Sequence, residues 1–308
     1  MTQWHASGGA RQLPGADEIF LDHVGHFVAD AKGASEALAR AGFTPTPISI
    51  QRNPDGSPTG TGNVCAMLRR GYVECLFKTA DTPLSQELDA AVAHQAGVHL
   101  AAFAVADSAA AHARLAAAGF RMRPLAKLAR LVPTATAQAT AAFTVARVEP
   151  GEMAEGRIQL LTHHSEEAVW QERWLEHPNG AFALSRLVIA VVDVTEAAAR
   201  FARFTGRVAM ASASGMSVAL DRGTIDLVTA GAFADAFPEV AIPSLPFIGA
   251  YEVVVNSLSP ADAILRGSGF QIRREQRSIV VPFPQELGSG AWLFAEADRH
   301  GLHPAWEP

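Results

Sequence analysis

The sequence predicts an α+β protein made of four βαβββ modules, which pair into two curved-sheet barrels. Three observations carry this prediction. A pattern of strand, helix and glycine occurs four times, the four helices have nearly equal lengths, and about three strand-like runs follow each glycine. Apolar residues make up 49% of the 308 residues and charged residues 18%, which favours a large core and argues against disorder.

The first element of each module is an apolar run that ends at an Asp or Ser. Such runs, bounded by polar residues, predict buried strands. They occupy residues 20–30, 98–107, 184–193 and 250–257.

An Ala-rich helix follows each of these strands. The helix segments span 12, 12, 13 and 12 residues from the Asp or Ser to the Gly. Asp and Ser are good N-caps because their side chains accept hydrogen bonds from the first turn. A glycine suits the left-handed position that follows a helix. The capping residues and their glycines are Asp30 and Gly42, Asp107 and Gly119, Asp193 and Gly206, and Ser257 and Gly269.

Three further strands complete each module. In the first module we expect them at residues 46–51, 63–69 and 72–78, with a loop rich in Pro and Gly at 53–62. The other modules repeat this arrangement, up to a last strand at 290–295. Two further helices, at 83–96 and 165–176, are expected to connect modules.

The number of modules predicts the domain organisation. One βαβββ module leaves the concave face of its sheet in water, whereas two modules side by side enclose a cavity. We therefore expect an N-terminal domain at residues 17–178 and a C-terminal domain at residues 179–308, each with two modules.

Two short motifs accompany this repeat: Gly60-Thr61-Gly62-Asn63, and Gly71-Tyr72-Val73-Glu74. With the repeat, which covers residues 20–297, they make the chain resemble a tandem member of the vicinal-oxygen-chelate superfamily. That superfamily includes glyoxalase I, bleomycin-resistance proteins and extradiol dioxygenases. More narrowly, the chain resembles the glyoxalase-like domain family.

The resemblance implies a divalent metal, such as Zn, Ni, Fe, Co or Mn, held by the first and last strands of each module. His23 and Glu74 take these positions in the first module, and His99 and Gln159 in the second. His99 lies one residue further from its capping Asp than His23 does, so strand alternation would turn it out of the cavity unless a bulge restores it. His163 is a possible substitute ligand.

The second half departs from this ligand pattern. Arg186 and Asp226 take the ligand positions of the third module, which predicts an ion pair in place of a metal. Ala250 and Leu293 take those of the fourth, and neither can bind a metal. The C-terminal modules therefore look like degenerate copies.

By resemblance, the function is that of a metal-dependent lyase or isomerase of glyoxalase type, acting on a small substrate with vicinal oxygens. Glu74 or a metal-bound water would move the proton. Arg130 and Arg147 lie in a long segment that could meet an anionic group. One alternative is an Fe(II) extradiol-type dioxygenase that uses His23, His99 and Glu74. Another is a non-catalytic, drug-sequestering binding protein.

Charge and hydropathy limit the other partners. The formal charge is −6 and no block of Lys or Arg occurs, so nucleic acid and anionic membranes are not expected as partners. No apolar stretch approaches the ~20 residues of a membrane span, and no signal peptide is apparent at the start. We expect a cytoplasmic protein with reduced cysteines, and a homodimer is possible.

Overall fold

A computed structural model describes residues 12–53, 56–135 and 137–297. It has the predicted α+β class, with sixteen strands joined in one curved sheet. In its described part, no helix is long and apolar enough to cross a membrane.

The described residues of the first half form eight strands and four α-helices. In chain order these are β1 (Ile19–Phe27), α1 (Ala31–Arg40), β2 (Ser49–Arg52), β3 (Pro58–Met67), β4 (Tyr72–Lys78), α2 (Pro83–His94), β5 (Gly97–Val105), α3 (Ser108–Ala117), β6 (Ala126–Pro133), β7 (Gln138–Arg147), β8 (Arg157–His163) and α4 (Glu166–Val169). A short 3-10 helix, Glu172–Trp174, follows.

In the second half, the part up to residue 297 forms eight strands and three α-helices. In chain order these are β9 (Ala181–Val191), α5 (Val194–Thr205), β10 (Ala209–Ser212), β11 (Gly215–Ala219), β12 (Thr224–Thr229), α6 (Ala230–Ala236), β13 (Phe247–Val255), α7 (Leu258–Gly267), β14 (Arg273–Arg274), β15 (Ser278–Pro282) and β16 (Ala291–Glu296). A 3-10 helix, Gln285–Leu287, precedes β16.

One strand arrangement recurs in all four segments. The first strand of each pairs in parallel with the last, as in β1 with β4, β5 with β8, β9 with β12 and β13 with β16. Antiparallel pairing then joins β1 to β5 and β9 to β13. The first segment therefore adjoins the second, and the third adjoins the fourth.

The two halves share one hydrophobic core. Pairing of β5 with β13 at Val98 and Ile248 joins their sheets, and isolated bridges such as Arg70 to Ala183 add to it. The largest buried cluster contains residues of both halves, from Ile19 to Phe294. The division into domains at 17–178 and 179–308 stays a prediction, and its last residues lie outside the described part of the chain.

The helix boundaries agree with the capping pattern. The side chains of Asp30, Asp107, Asp193 and Ser257 each accept a backbone N–H of the first turn. The four glycines that follow these helices have φ between 71° and 88°, a region that other residues rarely adopt. Local chemistry thus sets where these helices begin and end.

Two expected elements differ from the structure. Residues 58–62, predicted as part of a loop, begin β3, and Gly62 is there for packing, because an added Cβ would lie 2.6 Å from the Phe77 ring. The helix expected at 165–176 is shorter. The Ser165 hydroxyl accepts the Ala142 N–H and does not cap α4, so only four residues are α-helical.

In the second half, apolar residues cover the concave face of the sheet. Helix α6, which has no counterpart in the predicted modules, and the segment after it bring Phe233, Phe237 and Phe247 onto Val188 and Ala250. The concave face is therefore filled by the chain itself.

A buried polar network joins the two halves on the other side of β1. His26 donates from Nδ1 to the Leu287 carbonyl at 2.9 Å, and its Nε2 accepts from the Tyr251 hydroxyl at 2.9 Å. The Tyr251 oxygen accepts in turn from Trp292 Nε1–H at 2.7 Å. Both ring nitrogens of neutral His26 thus have a hydrogen-bond partner. Burial lowers the pKa of His26 to about 4, although the bond to Leu287 acts in the opposite direction.

We predict that His26 makes the protein less stable in acid. Because its folded-state pKa lies below the unfolded value of about 6.5, its contribution is complete above pH 6.5 and is lost as the pH falls towards 4. The expected loss is on the order of 2 kcal/mol by pH 4.5. Urea unfolding of the wild type and His26→Asn, at pH 7 and pH 4.5, measures it.

The variant should be less stable at pH 7 but should lose less stability on acidification. His164→Asn, which alters an exposed histidine, is the control and should follow the wild type. An equal acid loss in wild type and His26→Asn would contradict the prediction.

Candidate functional site

Strand register brings His23 and Glu74 together. In the parallel pair β1 and β4, His23 lies opposite Tyr72, and Glu74 is two residues further along the same face. His23 Nε2 lies 3.7 Å from Glu74 Oε2, and both residues are buried. The two residues that the sequence analysis selected thus share one place on the sheet.

A bulge in β1 adds Asp22 to this pair. The register with β5 shifts between Leu21 and His23, which frees Asp22 from strict alternation and turns its side chain towards the ring of its neighbour. Asp22 Oδ1 lies 2.7 Å from His23 Nδ1, and Oδ2 lies 3.0 Å from His163 Nε2. Simple strand alternation would place Asp22 on the opposite face, so sequence reasoning missed it.

Asp22 is a charged group inside the protein. Its side chain is completely buried, which by itself raises the pKa of a carboxyl group. The charge and hydrogen bond of His163 and those of His23 outweigh this effect, so the pKa of Asp22 lies well below its usual range. The carboxylate therefore accepts from both rings and orients them.

Two more residues hold the pair in place. The Tyr72 ring stacks on the His23 ring at a centroid distance of 4.3 Å, and Asn63 donates from Nδ2 to Glu74 Oε1 at 2.5 Å. Burial, with Asp22 and Glu74 nearby, raises the pKa of Tyr72 well above its usual value, so its hydroxyl is neutral. Both residues belong to the short motifs noted in the sequence, although no role was predicted for them.

The second module has Leu100, and not His99, at the position of His23. In the pair β5 and β8, Leu100 lies opposite Arg157, two residues before Gln159, which repeats the offset of the first module. The register between β1 and β5 shifts between Gly25 and His26, at the point where His99 interrupts the alternation. The bulge therefore does not restore His99 to the cavity.

The structure places His99 away from the other candidate ligands. Its Nε2 lies 2.8 Å from the Gln95 carbonyl oxygen, and its ring lies beside Phe27. Gln159, in contrast, is buried and lines the same cavity as His23 and Glu74. His163 lies behind His23, in contact with Asp22, and its Nδ1 has no hydrogen-bond partner in the described part of the chain.

The pair of modules encloses a small cavity, which we call the inner cavity. Its free volume is about 70 Å³. His23, Glu74 and Gln159 lie on its wall together with three arginines and several leucines. The apolar part of the wall consists of Leu76, Leu84, Leu100, Leu128, Phe143, Val145 and Leu161.

A second depression, which we call the outer groove, lies next to the inner cavity. It measures about 290 Å³ and is lined by parts of β2, β3 and β6 and by α4. Arg130 belongs to the walls of both. The outer groove carries the exposed apolar side chains of Ile48, Ile50 and Leu131, so it can receive an apolar group from solvent.

Three arginines line the inner cavity. Among the described residues, Arg157 is the one that forms an ion pair with a carboxylate. Arg157 contacts Glu87 at 3.4 Å and lies over the Phe27 ring. Arg147 donates from Nε to Gln159 Oε1 at 3.0 Å. Burial, together with nearby arginines, lowers the pKa of Arg147 to about 10, so it stays charged at neutral pH. The third, Arg130, lies 5.7 Å from the Phe143 ring centroid.

The same register places Arg186 and Asp226 at the ligand positions of the third module. Arg186 lies opposite Thr224, two residues before Asp226, and its guanidinium forms a direct ion pair with that carboxylate. Asp226 is buried, whereas 37% of the Arg186 side chain is exposed. Ala250 and Leu293 take the fourth pair of positions.

Few side chains of the site could act as metal ligands. Within residues 12–53, 56–135 and 137–297, no three His, Cys, Asp or Glu side chains are grouped so that they could hold a metal ion. His23 and Glu74 form a pair of donors, and the amide of Gln159 is the further oxygen on the same wall. The Gln159 oxygen already accepts a hydrogen bond from Arg147.

Comparison with known families identifies the chain. The model of the glyoxalase-like domain family matches residues 21–205, which is more than half of the chain. The chain belongs to this family. The glyoxalase-like domain in turn places it in the vicinal-oxygen-chelate superfamily. The sequence matches no curated protein.

Solved structures share the fold of this glyoxalase-like protein at low sequence identity. A hypothetical protein from Staphylococcus aureus has a TM-score of 0.62 at 8% identity, covering 91% of this chain and 100% of its own. The Mn(II)-bound glyoxalase from Novosphingobium aromaticivorans has 0.55 at 13%, covering 91% and 82%. A mutant 4-hydroxymandelate synthase from Streptomyces coelicolor has 0.52 at 13%, covering 93% and 95%.

We predict that Arg186→Ala lowers the free energy of unfolding by about 1 kcal/mol. The substitution leaves the buried carboxylate of Asp226 without its partner, but the partial exposure of Arg186 limits the loss. Chemical denaturation measures it. Lys32→Ala, which breaks an exposed ion pair with Glu36, is the control and should change stability by less than about 0.5 kcal/mol. An Arg186→Ala variant as stable as the wild type would contradict the prediction.

Proposed function

We propose that this protein is a metal-dependent lyase or isomerase of glyoxalase type, acting on a small substrate with vicinal oxygens in the inner cavity. The observation that carries the proposal is the buried pair of His23 Nε2 and Glu74 Oε2, 3.7 Å apart at matching positions of two parallel strands. Family membership supports the general class of chemistry, while the specific reaction is our inference.

The donors around this pair fit a divalent cation. Bonds of about 2.0–2.2 Å allow one ion to contact two atoms up to about 4 Å apart. Because Asp22 accepts from Nδ1 of His23, the lone pair of Nε2 is available on the side of Glu74. With Gln159 as a further oxygen donor, several coordination positions would be left for substrate and water. A bound cation acts as a Lewis acid on the substrate oxygens.

Glu74 is the residue that can move a proton. Asn63 donates to its Oε1, which leaves Oε2 directed towards His23 and the cavity. A carboxylate whose other oxygen is already held can accept a proton from a bound substrate without changing its orientation. We therefore assign Glu74 as a ligand and a catalytic base.

Apolar side chains surround part of this centre. Leucine, valine and phenylalanine are seven of the sixteen residues that line the inner cavity. In such surroundings, a charge that develops on the substrate interacts more strongly with His23, Glu74 and the bound ion than it would in water.

The placement of His99 argues against the dioxygenase alternative in the form considered above. That alternative needs His23, His99 and Glu74 as one facial set. His99 is turned towards Gln95, and Leu100 takes its position in the cavity. The proposal therefore stays with lyase or isomerase chemistry.

We predict that His23→Ala and Glu74→Gln abolish tight binding of Mn²⁺ and Zn²⁺. Each removes one of the two donors that face each other. Calorimetric titration of the ions into metal-stripped protein, with elemental analysis of the purified protein, measures this. His99→Ala is the matched control and should bind as the wild type does. Equal binding by His23→Ala and the wild type would refute the site.

Asp22→Asn should weaken metal binding by about 10–100-fold, a typical effect of removing a partner behind a ligating histidine. The amide can still contact His23 but carries no charge, so the ring loses a strong acceptor. The same titrations measure this, with circular dichroism as a check of folding. An unchanged dissociation constant in a folded Asp22→Asn variant would show that Asp22 does not act through His23.

A further inference from the structure

We propose that the substrate is a small organic acid, and that Arg147 and Arg130 hold its carboxylate in the inner cavity. The inference rests on the proposed function, because it names the substrate class for the same site. It is carried by two guanidinium groups on the cavity wall that form no ion pair with a carboxylate of the described residues.

Arg147 is the first of these groups. It is the last residue of β7, and its side chain enters the inner cavity, where Nε donates to Gln159. That partner is a neutral amide. Among the residues described by the structure, no carboxylate oxygen forms an ion pair with Arg147, and Glu87 and Glu74 act on it only at longer range.

Arg130 is the second group. It lies on β6, at the wall shared by the inner cavity and the outer groove. Its Nε is buried and has no hydrogen-bond partner in the described part of the chain, and no carboxylate there forms an ion pair with it. A buried donor without an acceptor is costly, so a ligand that supplies one is favoured.

The neighbouring carboxylates are already engaged. Glu87 contacts both Arg157 and Arg123, and Glu149 contacts Arg123. Glu74 is held by Asn63 and faces His23. The wall itself carries three arginines against the one carboxylate of Glu74, and Glu87 engages Arg157, so one positive charge remains for an anionic ligand to compensate. Guanidinium groups match the planar geometry of a carboxylate and can bind it through two parallel hydrogen bonds.

The rest of the wall indicates the shape of the acid. The inner cavity has room for only a few non-hydrogen atoms beyond the polar groups, with a free volume of about 70 Å³. Its other side is leucine-rich, and the outer groove offers exposed Ile48, Ile50 and Leu131 beyond Arg130. A short acid with an apolar body fits both, with its carboxylate at the arginines and its body along the apolar wall.

The test compares acids with their neutral amides. Acetate, butyrate and benzoate are titrated calorimetrically against acetamide, butyramide and benzamide, and inorganic phosphate is a separate arm. We expect at least one acid to bind and its amide to bind at least tenfold more weakly. Equal binding of acid and amide, or no binding of any of the three acids, would overturn the proposal. So would binding of phosphate alone.

Variants then locate the anion. Arg147→Gln should weaken binding of the acid by at least tenfold, while Arg147→Lys should keep part of it. Arg121→Gln alters an exposed arginine outside both cavities and should bind as the wild type does. Should Arg147→Gln fail to fold by circular dichroism, Arg130→Gln replaces it. A folded glutamine variant with unchanged affinity would place the acid elsewhere and refute the assignment.

The same titrations separate this inference from the proposed function. Acid binding in metal-stripped protein and in Glu74→Gln, together with no Mn²⁺ binding by the wild type, would contradict the metal-dependent function and support the anion site. Mn²⁺ binding by the wild type without binding of any acid would support the metal-dependent function and contradict the anion site.

Discussion

The buried carboxylate of Asp22 is the interaction on which the candidate site depends. It connects His23 on the first module with His163 on the second, so one group holds side chains from two modules. A completely buried charge is stable only with such partners. The bulge that turns Asp22 inward is therefore part of the site as much as the side chains that face the cavity.

Local chemistry made much of the fold predictable. Asp30, Asp107, Asp193 and Ser257 cap the four predicted helices, because capping depends on a few adjacent residues. The parallel pairing of first and last strands could be expected from the repeat. Helix α6 could not, because its residues follow no repeated pattern and are held by apolar packing onto the second half of the sheet.

The site was predictable only in part, for a physical reason. His23 and Glu74 could be selected from one module, and the structure places them together. Asp22 and His99 depend on register shifts between β1 and β5, strands more than seventy residues apart. Such shifts depend on packing between distant segments. Strand alternation alone therefore missed Asp22, and it left open whether a bulge would return His99 to the cavity, where the structure instead places Leu100.

Strand β1 constrains how the sequence of this protein could evolve. Three residues apart, it carries His23, which faces the inner cavity, and His26, which is anchored to Tyr251 and Leu287 of the second half. The half without the candidate ligands thus holds the strand that bears them, through hydrogen bonds to its opposite face. A shortened gene product that lacked it would lose that support. A replacement half from a relative would have to supply the same acceptor and the same donor to His26. On this reasoning, the half without the candidate ligands is retained because it supports the strand that carries the candidate site.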